Sequence, residues 1–496
     1  MAFLSLHAFF VKGLVMEKTR YIPRWVLVTA VIAAVLAVAF LLQPDNQDGA
    51  LQSVPKDAIV VGVHRDIRDT WKKQLESPVV SKFLSGYGLE AKDLAKEPGV
   101  YWTFRIAVGD MLVSSLLPDN AENGYILCAA SPMKRRAFLI RFFMAINWVP
   151  GLGRLSCLED GTRYVDIASK KASKPQILSL AIKDNLLLAK LYDKPLGFAD
   201  MCTSKEVLQS DNGDIESKTA HSFIVKNPYL RKLGFAADGG NAVCTVSFPD
   251  EDICVRVDLP LSKEEVELCG SFFDYSLSGR NAIASSLAAD HAIALVLLPS
   301  HFAAPIAQEY LACEKGVLSD DDAVLYINKS PYGAKLFAFD VPAITAIIPN
   351  LNISEDAMKA ALSRDIPKML RPFFALHGGN TICTAMESLR AQRKAQPING
   401  KAWKDFYGEL AKASNLCAFA YFNIDPLSLE LRQVVSAVQM LSSFGAVKLS
   451  KDEKKKLSQV SKVLPIIPTG CTLSFGVISP KQGSSTLEAV LRVAPR

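Results

Sequence analysis

The sequence predicts an α+β protein: a single N-terminal transmembrane helix followed by antiparallel sheets with packed helices, built from repeated strand-helix and hairpin units. Three observations predict it. One apolar run, WVLVTAVIAAVLAVAFLL at Trp25–Leu42, holds a lone hydroxyl (Thr29) and no charge; a bilayer core needs about 17–25 such residues. Beyond it, apolar runs of strand length alternate with amphipathic stretches and are closed by Gly, Pro, Asn and Asp. Finally, a Gly-Gly-Asn turn recurs inside a longer self-match.

The run at 25–42 presents Trp25, Leu27, Ile32, Leu36, Phe40 and Leu42 as membrane anchor residues. Lys12, Lys18, Arg20 and Arg24 precede it against one acid, Glu17, and Asp45 and Asp48 follow it with no base until Lys56. Basic residues at a span end stay cytoplasmic. The N-terminus is therefore expected inside a cytoplasmic (inner) membrane and the large remainder outside, in a periplasmic or other extracytoplasmic space. Residues 1–15 are apolar but too short to span, and Met16 opens a compact charged leader, MEKTRYIPRW. Met16 is thus the expected start. Ala37-Val38-Ala39 has the form of a processing site, but the apolar run continues through Leu42. The reading is an uncleaved anchor, with a cleaved signal as the alternative. The expected organisation is a cytoplasmic N-terminus at 1–24, the anchor at 25–42, a polar tether at 43–56, and α+β domains at 57–285 and 286–496.

Half of the 496 residues are hydrophobic, 21% are charged, and the net charge is +6. That is globular composition, enough chain for more than one core, and too little charge to point to nucleic acid. The ten cysteines form no CxxC pair and no zinc spacing. Cys128, Cys244, Cys417 and Cys471 lie in apolar runs and read as small buried hydrophobes; a few structural disulfides are the alternative. Cys244 and Cys254 flank one predicted turn, and a four-residue loop at Pro249–Asp252 would place them on opposite faces of the hairpin.

In chain order, DAIVVGV (Asp57–Val63) reads as the first strand and Ile67–Leu84 as a helix broken at Ser77-Pro78. Strands are expected at Tyr101–Val108 and Tyr125–Ala130, then a helix capped by Ser131 with Pro132 at its first position. TRYVDIAS, PQILSLAIK and DNLLLAKLYDKPL read as strands, and the polar residues 203–222 as a helix end and surface loop. Later strands are DICVRVDL, DAVLYIN, LFAFDV, SNLCAFAYFNI, CTLSFGVI and STLEAVLRV; helices are expected at Phe302–Cys313, Glu355–Ser363, Trp403–Ala413 and Leu427–Leu441.

PYLRKLGFAADGGNAVCTVSF from Pro228 matches PKMLRPFFALHGGNTICTAME from Pro367. Gly239, Gly240 and Asn241 in one copy, and Gly378, Gly379 and Asn380 in the other, are expected to form structural hairpin turns. Two longer-period matches, DAIVVGV with DHAIALVLL and CTVSF with CTLSF, suggest a tandem duplication divided near residue 285.

No nucleophile elbow, P-loop, HExxH or EF-hand loop is present, so no catalytic residue, cofactor or metal is assigned. Of the six histidines only His291 and His301 are close in sequence, at no metal-ligand spacing; His377 takes a turn position that Asp238 fills in the other copy. Asp320–Asp322 reads as a solvated loop. Met133–Trp148 is too short to span a membrane. It reads as a core helix or, alternatively, as a membrane-interface helix with Arg135 and Arg136 on headgroups and Phe138, Phe142, Phe143 and Trp148 in the acyl boundary. Lys448–Lys462 reads as a solvated helix or loop that would attract anionic lipid if it faced the membrane.

Three stretches, VPKDAIVVGV, DNLLLAKLYD and CTLSFGVISPKQGSSTLEAVLRV, carry a resemblance to a family of uncharacterised bacterial envelope proteins with one N-terminal anchor and a repeated α+β export-side domain. The resemblance implies no catalytic residues. The expected function is a non-catalytic, membrane-anchored envelope protein that binds or scaffolds another component, an envelope protein or a lipid. The alternatives are a lipid- or lipoprotein-handling protein with a half-open sheet lined by Phe, Leu and Ile, and an export-side hydrolase.

Overall fold

The structure, a computed structural model, describes residues 47–495 except 92–107, 134–147, 169–176, 193–220, 233–239, 268–275, 278–291, 304–321, 349–353, 366–373, 385–399, 464–469 and shorter loops. No described helix is long and apolar enough to cross a membrane. The run at 25–42 lies outside the described residues.

The first half contains α1 (Gln47–Gln52), β1 (Val60–Arg65), α2 (Ile67–Glu76), α3 (Pro78–Gly86), β2 (Met111–Asp119) and β3 (Gly124–Pro132). It continues with β4 (Trp148–Val149), β5 (Gly153–Arg154), β6 (Ser156–Cys157), β7 (Arg163–Ala168), β8 (Ile177–Lys183), β9 (Leu186–Tyr192), β10 (His221–Val225), α4 (Asn227–Lys232), β11 (Ala242–Ser247) and β12 (Ile253–Pro260). The second half contains β13 (Ala292–Pro299), β14 (Asp322–Asn328), β15 (Ala334–Leu336), β16 (Phe339–Val341), β17 (Ala343–Ile347), α5 (Glu355–Asp365), β18 (Phe374–His377) and β19 (Thr381–Thr384). It ends with α6 (Gly400–Ala413), β20 (Leu416–Asn423), α7 (Ile424–Ser443), α8 (Lys451–Val463), β21 (Cys471–Ile478) and β22 (Thr486–Pro495). The α+β class with antiparallel sheet holds.

Apart from the small hairpins β4–β5 and β15–β16, the strands form one eighteen-stranded sheet. Every pairing is antiparallel, and the spatial order is β6-β7-β8-β9-β3-β2-β1-β10-β11-β12-β22-β21-β20-β13-β14-β17-β19-β18. β1 lies between β2 and β10, and β10-β11-β12 forms a meander. β13 lies between β14 and β20, and β20-β21-β22 forms the matching meander. The two meanders meet along β12–β22, where Ile253 faces Val493 and Pro260 faces Thr486.

Alternate residues of a strand share a face, so the register carries each face across the sheet. One side, the core face, holds both large cores. In the first half Val61, Val63, Met111, Val113, Cys128 and Leu188 pack with Ala50 and Val54. The helix α1 and Val54 thus fold into this core, so the described part of the expected tether is packed against the sheet. In the second half Leu295, Leu297, Val324, Tyr326, Phe419 and Tyr421 pack under Trp403, Phe406 and Leu410 of α6. Between them the core face is polar: Arg256 pairs with Glu488 at 2.7 Å, and Arg492 with Asp252 at 2.6 Å, across the β12–β22 seam.

Local sequence explains several boundaries. Ser77 is extended (ψ 130) between α2 and α3, because a residue before proline avoids helical backbone and Pro78 then opens the next helix. The four-residue loop at 249–252 follows from Ser247 facing Cys254, and it leaves Cys244 and Cys254 on opposite faces as unpaired thiols. Five expectations are corrected, the first being Asp322, expected in a solvated loop but buried at 1% exposure at the start of β14. Ser131 caps no helix: it lies inside β3, where its Oγ accepts from the Gly109 N–H at 2.8 Å and donates to the Met111 carbonyl at 2.7 Å. Trp148, expected at the end of a helix, lies in β4 opposite Arg154. LFAFDV is two strands, with Leu336 facing Phe339. His221 and Ser222, expected in a surface loop, are buried in β10 at 6% and 4% exposure.

Candidate functional site

The second face of the sheet is unlike the first. From β8 to β18 the register places no Asp, Glu, Lys or Arg of the paired strands on it. Through the middle it presents Phe223, Cys244, Val246, Val255, Val257, Leu487, Leu491, Leu473, Phe475 and Val477, all half-buried. At the flanks Leu127 and Leu325 are 44% and 41% exposed. A small cluster of Val108, Met133 and Leu187, with Ile67 and Ile182, closes the corner at β8 and β9. Fully burying a Val, Leu or Phe side chain contributes about 1.5–3 kcal/mol, and a row of half-buried ones leaves part of that unused. Charge on these strands is instead collected on the core face, at Arg256, Asp258, Glu488 and Arg492.

One polar cluster interrupts the apolar face. His64 of β1 faces His221 of β10, and Ser114 of β2 faces Gly62. The histidine Nδ1 atoms are 3.0 Å apart, and His64 Nε2 lies 2.9 Å from Ser114 Oγ. The rings of Phe223 and Phe248 meet the two imidazoles edge-on at 5.1 and 5.5 Å. A Cβ on Gly62 would stand 2.5 Å from Ser114 Oγ and 3.0 Å from His64 Nε2. Only glycine leaves room for this arrangement.

The helix α2 completes it. Asp66 leaves β1 with φ 54, a left-handed conformation that Asp tolerates, and this turns α2 across the strand ends. The Asp66 carbonyl accepts from the Thr70 hydroxyl at 2.9 Å, Thr70 Oγ1 accepts from Gln74 Nε2 at 3.0 Å, and Gln74 Nε2 lies 2.6 Å from His221 Nε2. These links fix a direction. A backbone carbonyl only accepts, so the Thr70 proton goes to Asp66 and its lone pair takes the first amide proton of Gln74. The second amide proton then meets His221 Nε2, which must accept. His221 Nδ1–H therefore donates to His64 Nδ1, and His64 Nε2–H donates to Ser114 Oγ. Both imidazoles are neutral in this chain. Burial, helped by the neighbouring His221, holds His64 down to about 4, and burial lowers His221 as well. Further along, α3 packs on β22 and Lys82 Nζ donates to the Gly470 carbonyl at 2.9 Å. The pair α2–α3 thus lies along one end of the apolar face.

Sequence reasoning missed this cluster. His64 and His221 are 157 residues apart, and no local spacing joins them. The sites expected from sequence fare differently. Trp25 to Leu42, Arg135, Arg136, Phe138, Phe142, Phe143, Gly239 and Gly378–Asn380 lie outside the described residues. Gly240 takes φ 86, and Asn241 Oδ1 accepts from the Asn227 N–H at 3.0 Å, tying the turn to the start of α4. In the other copy β18 and β19 pair on either side of 378–380, with His377 facing Thr381. Among the described residues no three His, Cys, Asp or Glu side chains form a metal-binding group. Cys128, Cys417 and Cys471 are buried, and burial pushes the Cys417 thiol up to about 11.

A second surface stands apart. On α7, Leu427, Leu431, Val434 and Val438 fall on one stripe at helical spacing, with Leu431 39% and Val434 38% exposed. Leu429, Phe444 at 77% and Val460 of α8 are also exposed, and so are Lys451, Lys454 and Lys455 of α8.

No family model and no curated protein matches the chain. Among solved structures it is similar to crystal forms IV, I and III of TP0453. The first is 11% identical with a TM-score of 0.26, over 44% of this chain and 83% of that one. The other two are 11% and 10% identical with TM-scores of 0.25, over 43% and 46% of this chain and 79% and 87% of the other. At that level the likeness carries no argument.

Proposed function

We propose that this chain is a membrane-anchored binding protein of the exported side whose apolar sheet face takes up the acyl chains of a lipid or lipoprotein. The observation that carries the reading is the uncharged, half-buried second face. Neighbouring strands are about 4.8 Å apart, so a chain laid across β11, β12, β22 and β21 crosses roughly 15–20 Å of apolar side chains. Sites for small apolar ligands are lined in this way, with a few placed polar groups, and the His64–Ser114 cluster supplies those. The uncleaved helix at 25–42, with its N-terminus inside, is part of the proposal. Only residues 43–46 separate it from α1, which folds into the first core, so the sheet would stand close against the membrane surface. The hydrolase reading finds no support at Ser114, whose oxygen accepts from His64 rather than giving up its proton to it.

Mass spectrometry of lipid extracted from the purified full chain tests the proposal. Acyl lipid is expected with the native sequence and is expected to be lost in Val257→Asp/Leu491→Asp, which places two carboxylates in the middle of the face. Arg256→Asp, on the core face, serves as control. Equal lipid in all three would refute the reading, and a change to a dimer on removal of lipid would identify a second copy as the face's occupant.

A second reading concerns α7 and α8. Their apolar stripe and exposed lysines suit the surface of an anionic membrane, where each Lys adds about 1 kcal/mol of attraction.

A further inference from the structure

We propose that the Ser114 hydroxyl is the polar anchor of this face, donating a hydrogen bond to the carbonyl oxygen of a neutral acyl ester. The inference rests on the acyl-binding reading above and names the head chemistry of the ligand. The hydrogen-bond chain from the Asp66 carbonyl through Thr70, Gln74, His221 and His64 runs in one direction and ends with His64 Nε2–H on Ser114 Oγ. A hydroxyl that accepts one hydrogen bond keeps its own proton to give. Among the described residues no acceptor takes that proton. Ser114 is half-buried beside Leu112 and Leu116 on the apolar face, so the donor is turned to where an acyl chain would lie.

The surroundings choose among acceptors. From β8 to β18 no cation of the paired strands shares this face; Arg163 lies on it in β7, four strands from Ser114, and Lys82 is held by the Gly470 carbonyl. With both imidazoles neutral, no strand cation stands beside Ser114 to compensate a bound carboxylate for its lost hydration. An ester carbonyl needs only the single donor that Ser114 offers. Free fatty acid and acyl ester share the carbonyl acceptor, and the absence of compensating charge favours the ester. The phenylalanines about the imidazoles and the close packing at Gly62 hold the donor in place, so the selection does not depend on a mobile side chain.

Displacement of 1,6-diphenylhexatriene from the full chain in amphipol tests this, with methyl oleate, oleate and 1-octadecene as competitors at pH 7.5. The native protein is expected to bind methyl oleate about two- to twelvefold more tightly than 1-octadecene, the worth of one neutral hydrogen bond, and more tightly than oleate. In Ser114→Ala that preference is expected to vanish while the affinity for 1-octadecene stays unchanged. Equal affinity for ester and alkene in the native protein would overturn the anchor without any variant being needed. A preference that survives in Ser114→Ala would overturn it too, as would tighter binding of oleate. If the probe and all competitors fail to bind the folded protein, it is the acyl-binding reading itself that falls.

Discussion

The strands β1, β2 and β10 hold the same places in the first half of the sheet that β13, β14 and β20 hold in the second, yet the two trios are filled differently. On the second face the first trio carries Gly62, His64, Ser114 and His221. The second carries Ala294, Val296, Leu298, Ala323, Leu325, Ile327, Ala420 and Phe422, with no titratable group. The core face differs as well, since Phe419 is ringed by Trp403, Phe406 and Tyr407 at 5.3–6.4 Å, whereas the first core is aliphatic around Val61, Val113 and Leu188. The connections diverge too. β10 reaches β11 through the short α4, and β20 reaches β21 through α7 and α8. One connectivity therefore supports a polar relay in one half and a heavier aromatic core with a helical hairpin in the other.

The largest expected effect tests the aromatic side of this contrast. Phe419 is fully buried, and Phe419→Ala is expected to cost about 3–5 kcal/mol. Chemical denaturation would measure it. A loss under about 1 kcal/mol would mean that α6 is held by something other than its rings on β20.

The relay predicts a pH dependence confined to the first half. His64 titrates at about 4 in the folded chain and near 6.5 when unfolded. Between those values the unfolded chain binds more protons, so stability is full above pH 6.5 and is lost as pH falls toward 4. The shift is worth on the order of 3 kcal/mol at most. His64→Leu is expected to remove this part of the slope, judged as the difference between variant and native denaturation curves from pH 7.5 to 4. Parallel curves would show that His64 is not held neutral. Gly62→Ala is smaller, about 1–3 kcal/mol from overpacking against Ser114 and Phe223. On β13 the same face already carries Ala294 and Val296.

What the sequence made legible follows from range. Ser77-Pro78 splits α2 from α3 because proline acts on its immediate neighbour, and Ala242–Ser247 with Ile253–Pro260 is a hairpin because one loop sets its register. β2 was missed because MLVSSLLPD is apolar on both of its faces and closes on a proline, so it shows neither simple alternation nor a clean boundary. His221 reads as loop because polar residues weaken a strand signal, and nothing nearby in sequence reveals that Gln74 satisfies it. The extent of the uncharged face depends on the order of strands far apart in the chain, which only pairing supplies.

The smallest expected change in stability belongs to the helical hairpin α7–α8, which among the described residues links β20 to β21. Leu431 and Val434 are exposed on α7, and replacing both with Ser is expected to alter stability by within about 0.5 kcal/mol, as surface substitutions do. If α7 and α8 rest on an anionic membrane, the same double variant should release the protein from it. The anchor proposed at 25–42 would hold the full chain in either disc, so the readout is local: protection of Leu431 and Val434 backbone amides from hydrogen exchange in phosphatidylglycerol nanodiscs against phosphatidylcholine ones. Greater protection in the anionic discs, abolished by Leu431→Ser/Val434→Ser and weakened by Lys454→Gln/Lys455→Gln, would assign the hairpin to the lipid surface. Identical exchange in both discs would remove α7 and α8 as a lipid surface, and the difference between the halves would then lie in packing rather than in membrane contact.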